Sequence, residues 1–313
     1  MPARPKKIYM NPLFLPKNIF DANWLRVFRV KEVFPGISAI FIAALDTGII
    51  VSFPKLLSMT IGFMSIFFSA FLINELVDAN DTDKFNPERE KGITRYGVSQ
   101  AFTTLAFIIT SLVGLLVLHF INLAWAGVIA FLILFAYSAP FIRVKTIPFV
   151  ELIFVTVGCA LLPYLSYYFL AGVPITWLTI LIISFFGLGF PAIQLVNEGA
   201  DFAADKKAGL TTTAVFLGEK RNLVLIQFLS LFSVFLGLCA LALTLHWWYL
   251  YILAIVFFLF TAAQFGLTIH KDTRRLHELL RTGEKFGVFV SDLGTVIVLI
   301  IFIFYLCLKG WLS

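Results

Sequence analysis

Long apolar runs alternate with short polar segments along most of the chain. From residue 36 onward, nine runs approach the ~20 residues that an α-helix needs to cross a bilayer. They cover residues 36–53, 55–77, 97–119, 121–140, 148–171, 174–197, 222–245, 247–270 and 286–308. The pattern predicts an all-α, polytopic membrane protein with nine transmembrane helices.

The composition supports this prediction. Hydrophobic residues make up 60% of the 313 residues and charged residues only 13%, and the mean hydropathy is +0.95, which excludes an ordinary soluble domain. We therefore divide the chain into a basic N-terminal segment, 1–35, and a nine-helix transmembrane domain, 36–313. The basic and aromatic residues of the first segment suit an anionic membrane surface.

Positive charge is distributed unevenly between the two predicted faces. Of the 24 Lys and Arg residues, 22 fall in the N-terminal segment or in the four longer loops, 78–96, 141–147, 198–221 and 271–285. By the positive-inside rule these loops and the N-terminus are cytoplasmic. The sequence thus predicts a multi-pass protein of the cell membrane, with its C-terminus on the opposite side.

The pattern Asn-Glu-x-x-Asp occurs twice, each time near the cytoplasmic end of an apolar run. The first copy is Asn74–Asp78, and the second is Asn197–Asp201, which continues to Asp205. At helical spacing the Asn and Asp side chains of each copy share one face. Clustered carboxylates repel one another unless a cation lies between them, and oxygen ligands favour Mg²⁺. Two matching copies favour a metal-held polyphosphate over acids that merely solvate loop ends.

The residues around both acidic stretches resemble those of a known family. The first stretch reads NELVDANDTDKFNPEREKG over 74–92, the second reads DFAADKKAGLTTTAVFLG over 201–218, and YSAPFIRVK occupies 137–145. Together they resemble the UbiA superfamily of intramembrane prenyltransferases, whose acidic motifs follow the second and sixth helices. The resemblance implies helices around a central cavity, with cytoplasmic cap loops that hold Mg²⁺ and an isoprenyl diphosphate.

The resemblance also implies roles for individual residues. The metal ligands would be Asn74, Asp78, Asp81, Asp83, Asn197, Asp201 and Asp205, of which Asp78, Asp201 and Asp205 would be catalytic. The diphosphate would be bound by Arg89, Lys91, Arg143, Lys145 and Lys206. Accessory roles would fall to Glu75, Glu198 and Tyr137.

The first motif departs from the family pattern at two positions. Glu75 stands where the family has Asp, and Thr82 occupies the position of the last acid, between Asp81 and Asp83. Helical geometry favours Asp81 as the metal ligand, whereas alignment from the following Asn-Pro pair favours Asp83. The longer arm of Glu75 would compensate for the displaced ligand.

The activity implied by the resemblance is Mg²⁺-dependent transfer of a prenyl group from an isoprenyl diphosphate to a hydrophobic acceptor within the membrane. The segment DKFNPEREKG (83–92) resembles the corresponding segment of members that act on carotenoids such as lycopene. Quinone precursors and other lipids stay open as alternative acceptors. The alternatives are phosphoribosyl transfer to polyprenyl phosphate, a catalytically silent family member and a cation-coupled transporter. Motifs at helix ends disfavour the transporter, and no nucleic-acid-binding surface is evident.

Three further acids fall inside or beside the apolar runs. Glu151 and Asp292 begin predicted helices on the cytoplasmic side, where an interfacial role is favoured and a functional role stays open. Asp46 lies deeper, toward the opposite face, and suits either helix packing or an acceptor pocket.

Overall fold

The computed structural model describes residues 27–79, 82–85, 92–94 and 96–245, together with five isolated helical residues further on. All regular structure in these residues is helical. The α-helices are α1 Val30–Thr47, α2 Phe53–Asp78, α3 Gln100–Phe120, α4 Ala124–Ser138, α5 Val150–Thr156, α6 Leu162–Ala171, α7 Trp177–Lys207, α8 Thr213–Leu217 and α9 Glu219–Leu245. A π-helical turn, Val157–Leu161, joins α5 to α6 as one continuous segment.

Five of the described segments are long and apolar enough to cross a membrane. They are Phe53–Asp78, Gln100–Phe120, Val150–Ala171, Trp177–Lys207 and Glu219–Thr244. Helix α4 is apolar but has only 15 residues. Each of the first seven predicted runs corresponds to a described helical segment. In the runs 247–270 and 286–308 only five isolated helical residues are described, so these two helices stay predictions.

Two helix boundaries differ from the prediction for identifiable reasons. Helix α7 continues to Lys207, ten residues beyond the predicted end, because its last turns are polar while its backbone remains helical. Helix α1 begins at Val30 and ends at Thr47, because Gly48 adopts the left-handed conformation (φ 64°) that terminates helices. The extension of α7 places Asp201 and Asp205 of the second motif on the helix, and the first motif lies on the last turns of α2.

Helices α2 and α3 pack closely because small residues face one another at their crossing. A Cβ atom added to Gly114 would lie 2.9 Å from the carbonyl oxygen of Gly62 and 2.8 Å from a methyl carbon of Ile66. Glycine pairs of this kind allow transmembrane helix backbones to approach. The contact holds the helix that carries the first motif against its neighbour.

The bundle has two polar ends, separated by an apolar core that α1, α2, α4, α6 and α7 share. We call the end that contains both acidic motifs the motif end. There the 3-10 turn Thr82–Phe85 packs against α7, and α8 packs against α7 and α9. At the opposite end, one carboxylate oxygen of Asp46 accepts hydrogen bonds from the hydroxyls of Tyr164 and Tyr168.

Candidate active site

The first acidic motif surrounds a buried lysine. The side-chain oxygen of Asn74 lies 3.5 Å from the Nζ atom of Lys145 and accepts a hydrogen bond from Ser138 at 3.2 Å. Asp78 forms an ion pair with the same Nζ atom. The Nη2 atom of Arg143 lies 3.7 Å from Asp78 Oδ1. The oxygens of Asn74 and Asp78 therefore converge on one cation.

A tight turn after α4 brings these two cations to α2. Arg143 has a left-handed backbone (φ 44°), and its N–H donates to the carbonyl of Ala139 at 2.7 Å. The 3-10 turn Val144–Thr146 follows immediately and buries Lys145. The structure thus brings Arg143 and Lys145, both predicted to bind diphosphate, to the acidic motif of α2.

Glu75 is fully buried and is held by hydrogen bonds within the protein. Its Oε1 atom accepts from Nε and Nη2 of Arg29 at 3.3 and 3.2 Å, and its Oε2 atom accepts from the backbone N–H of Gly92 at 3.0 Å. Burial lowers the pKa of Arg29, but the nearby charges of Glu75, Glu32 and Asp78 outweigh it, so the pKa lies above its usual value. Arg29 therefore remains cationic beside Glu75.

The second motif lies on the last turns of α7. Asn197 and Asp201 are half-buried, and Asp205 is buried. Lys206 is exposed, and its ammonium lies 5.8 Å from the centre of the Phe202 ring. The continued helix thus keeps Asn197, Asp201 and Asp205 at the spacing that the sequence predicts for one face.

Two buried glutamates join the second motif to α8. Glu151 at the start of α5 accepts hydrogen bonds from the hydroxyl and the N–H of Thr213, the latter at 2.7 Å. Glu198 accepts from the N–H of Ala214 at 3.2 Å. Glu151 and Glu198 interact electrostatically with each other as well. The side chain of Glu151 is fully buried against Thr213, which favours a role within the protein over contact with the membrane interface.

Tyr137, at the end of α4, lies between the two motifs. Its hydroxyl accepts a hydrogen bond from Gln194 at 2.7 Å, and Gln194 also donates to Glu198 at 3.0 Å. The hydroxyl interacts electrostatically with Asp78 of the first motif and with Asp205 of the second. Tyr137 is therefore near the acidic residues of both motifs.

The remaining predicted site residues divide into described and undescribed positions. Asp83 is buried within the 3-10 turn Thr82–Phe85, which packs against α7. Asp81, Arg89, Lys91 and Asp292 lie outside the described residues. The choice between Asp81 and Asp83 as a metal ligand therefore stays a prediction.

The first motif fits a cation but is not a cage of carboxylates. Among the described residues, no group of three or more His, Cys, Asp or Glu side chains is close enough to hold a metal ion. However, Asn74 and Asp78 already direct two oxygens at the Lys145 ammonium. Mg²⁺ is commonly bound by one or two carboxylates together with water and substrate phosphates. Asp78 would supply the carboxylate and Asn74 a further protein oxygen, and water and substrate would supply the other ligands.

Several residues that build this region were missed by the sequence reasoning. They are Arg29, Ser138, Gln194 and Thr213, while Glu151 was noticed but placed at the interface. A buried carboxylate requires a cation or several donors, so Glu75 and Glu151 each carried a signal for a partner. Which residue supplies that partner depends on tertiary contacts between distant segments.

The family model described as "UbiA prenyltransferase family" matches residues 33–283 of the chain. A lycopene elongase/hydratase from Haloarcula japonica is 29% identical over 155 residues, which are 48% of this chain and half of that protein's length. A UbiA homologue from Archaeoglobus fulgidus, solved with DMAPP and Mg²⁺, is 20% identical with a TM-score of 0.61 over 88% of this chain and 99% of its own.

A second solved structure, the apo form of a UbiA homologue from Aeropyrum pernix, is 14% identical with a TM-score of 0.59. It covers 86% of this chain and 98% of its own. At these identities the solved structures show a shared fold. The family match extends over most of the chain and includes both acidic motifs, so the chain belongs to the UbiA prenyltransferase family.

Proposed function

We propose that the protein transfers a prenyl group from an isoprenyl diphosphate to a hydrophobic acceptor in the membrane, with Mg²⁺ as cofactor. The observation that carries this proposal is the convergence of Asn74 and Asp78 on a buried cation, with Arg143 beside them. Such a cluster is suited to a diphosphate that arrives with its metal. Family membership supplies the reaction class.

The residues of the motif end would act on the leaving group. During transfer, the bond between C1 of the prenyl chain and the diphosphate oxygen breaks, and the electron pair leaves with the diphosphate. Bound Mg²⁺ would neutralise part of that charge. Lys145 and Arg143 would turn from Asp78 to the phosphate oxygens, and Asp78, Asp201 and Asp205 would anchor the metal. The allylic cation then bonds to a carbon of the acceptor, which loses a proton.

For the acceptor, we propose an apolar polyene of the carotenoid type. Support comes from the resemblance of segment 83–92 to carotenoid-modifying members and from the lycopene elongase/hydratase relative. That relative matches over only half its length, so the acceptor needs a direct test.

The test is product identification with purified protein in lipid nanodiscs. Radiolabelled prenyl diphosphates of 5, 10 and 20 carbons are each offered with lycopene, with 4-hydroxybenzoate or with a polyprenyl phosphate, in Mg²⁺ or in EDTA. We expect a labelled lycopene product that forms only with Mg²⁺. A labelled aromatic product would contradict the polyene acceptor, and failure of every acceptor to take label would contradict prenyl transfer.

We also propose that the motif end faces the cytoplasm. Support comes from the concentration of Lys and Arg in the loops at this end, where soluble prenyl diphosphates and Mg²⁺ are available.

A further inference from the structure

The two Asn-Glu-x-x-Asp motifs share a contact that involves neither the Asn nor the Asp. In each motif the glutamate accepts a hydrogen bond from a backbone N–H about 16 residues later in the chain. Glu75 accepts from Gly92, 17 residues on, and Glu198 accepts from Ala214, 16 residues on. Both donors lie where the chain returns to the bundle after the motif, and we call them the two return points.

At the first return point the contact is buried and short. The distance from Gly92 N to Glu75 Oε2 is 3.0 Å, and both residues are buried. A Cβ atom on Gly92 would lie 2.2 Å from a methyl carbon of Val27, so the backbone here is pressed against the segment that precedes α1. The second oxygen of Glu75 binds Arg29 in that same segment. One carboxylate therefore joins α2 to two other parts of the chain.

At the second return point the backbone contact is repeated, but the other partner of the glutamate lies on its own helix. One oxygen of Glu198 accepts from Ala214 N at 3.2 Å, and the other accepts from Gln194 at 3.0 Å. Thr213, the neighbouring residue, is held by Glu151. No described residue forms an ion pair with Glu198, so its partners here are neutral donors, in contrast to the Arg29 partner of Glu75.

We propose that Glu75 and Glu198 are equivalent positioning residues, each of which fastens the return point to the helix that carries its motif. A buried N–H without an acceptor is costly, so the glutamate oxygen that accepts from each return point favours the present position of that backbone. Each glutamate thus fixes where the chain re-enters the bundle relative to Asp78 or to Asp205. This inference rests on the proposed function only for its effect on turnover.

The length of the glutamate side chain matters to this role. Aspartate is shorter by one carbon–carbon bond, about 1.5 Å. With α2 in place, an aspartate at position 75 could not contact Arg29 and Gly92 together at their present distances of 3.2 and 3.0 Å. The two protein partners of Glu75 therefore match a glutamate, and not an aspartate, at this position of this chain.

The test is hydrogen–deuterium exchange of the protein in nanodiscs, without substrate, followed in peptides that contain Gly92 or Ala214. We compare wild type with Glu75→Asp, Glu75→Gln, Glu198→Asp and Glu198→Gln. In each Asp variant, exchange should rise roughly 10- to 100-fold at its own return point and remain unchanged at the other. The Gln variants retain an acceptor oxygen and should show a smaller rise at the same site.

A second measurement separates positioning from direct metal binding. Mn²⁺ affinity is measured by electron paramagnetic resonance in the same variants and in Asp78→Asn. A positioning role predicts that Glu75→Gln retains its affinity within about threefold, because the side-chain shape is preserved, while Asp78→Asn loses more than tenfold. Asp46→Asn at the opposite end, which loses a half-buried carboxylate, should leave both readouts unchanged.

Three outcomes would overturn the proposal. The first is unchanged exchange at both return points in the Asp variants. The second is an equal rise at both, which indicates general loosening of the bundle. The third is a Mn²⁺ affinity in Glu75→Gln as low as in Asp78→Asn, which indicates a metal ligand. None of these depends on finding the correct acceptor, so failure here is distinct from failure of the proposed function.

Discussion

Asp78 is the residue at which the charges of the first motif meet. It pairs with Lys145, lies 3.7 Å from Arg143 and interacts electrostatically with Tyr137. Its side chain is only 8% exposed, so these interactions are little screened by solvent. A small change of charge at this position should therefore have a large effect.

We expect Asp78→Asn to lower the turnover of prenyl diphosphate by about 100-fold or more, because charge on the leaving group would be poorly neutralised. The measurement is the initial rate at saturating Mg²⁺. The control is Glu32→Gln, which neutralises an exposed carboxylate in the first turn of α1 and should keep the wild-type rate. Equal rates for Asp78→Asn and wild type would contradict the role of Asp78.

A second prediction concerns Lys145, which occupies the position between Asn74 and Asp78. Lys145→Met removes the cation that pairs directly with the buried Asp78 carboxylate, which should cost up to ~3 kcal/mol of stability in EDTA. Mg²⁺ should restore part of that loss in the variant, because a divalent cation can take the place of the ammonium.

Thermal unfolding with and without Mg²⁺ measures both effects of Lys145→Met. Lys206→Met, in which an exposed lysine is changed, is the control and should unfold like wild type. If Lys145→Met unfolded at the wild-type temperature in EDTA, Lys145 would not be the cation that holds Asp78.

At the level of elements, the crossing of α2 and α3 is the contact most sensitive to side-chain size. We expect Gly114→Ala to destabilise the protein by about 1–3 kcal/mol, because the added methyl group meets the Gly62 carbonyl at 2.9 Å. Gly187→Ala on α7 is the control, since no described atom lies within 4 Å of its added Cβ. Denaturant unfolding of both variants makes the comparison, and equal stability would contradict the close crossing.

The helices were largely predictable from sequence, whereas the contacts between them were not. Seven apolar runs correspond to described helical segments, because length and hydropathy are local properties. The extension of α7 to Lys207 was missed because hydropathy stops where the helix turns polar. The pairing of Glu75 with Arg29 and of Glu151 with Thr213 joins residues 46 and 62 positions apart, and no local pattern specifies such pairs.

The acidic motifs themselves were predictable because their spacing is helical and they occur twice. The roles within each motif were harder to assign. From the sequence, Glu75 is predicted to compensate for a displaced metal ligand. In the structure, both of its carboxylate oxygens accept hydrogen bonds from the protein. Burial and partners distinguish a ligand from a structural carboxylate, and both are properties of the folded chain.

For the molecule as a whole, orientation in the membrane is the main prediction. We expect a cysteine at Lys207, at the motif end, to react with an impermeant maleimide only in inverted vesicles, and a cysteine at Pro174, between α6 and α7, only in intact cells. The three native cysteines are replaced beforehand. Labelling of both sites from the same side would contradict the assignment of the two ends.

The polar contacts at the opposite end bear on how this protein could diversify. The Asp46 carboxylate joins α1 to α6 through Tyr164 and Tyr168, and Tyr168 lies 2.8 Å from the Thr179 hydroxyl of α7. Together with the motif end, these contacts fix the helices at both termini. Outside the close crossing of α2 and α3, hydrophobic side chains in the apolar stretch between the two ends can then be exchanged while these contacts keep the helix register. Selection could remodel this middle zone for substrates of different length while the chemistry at the motif end stays constant.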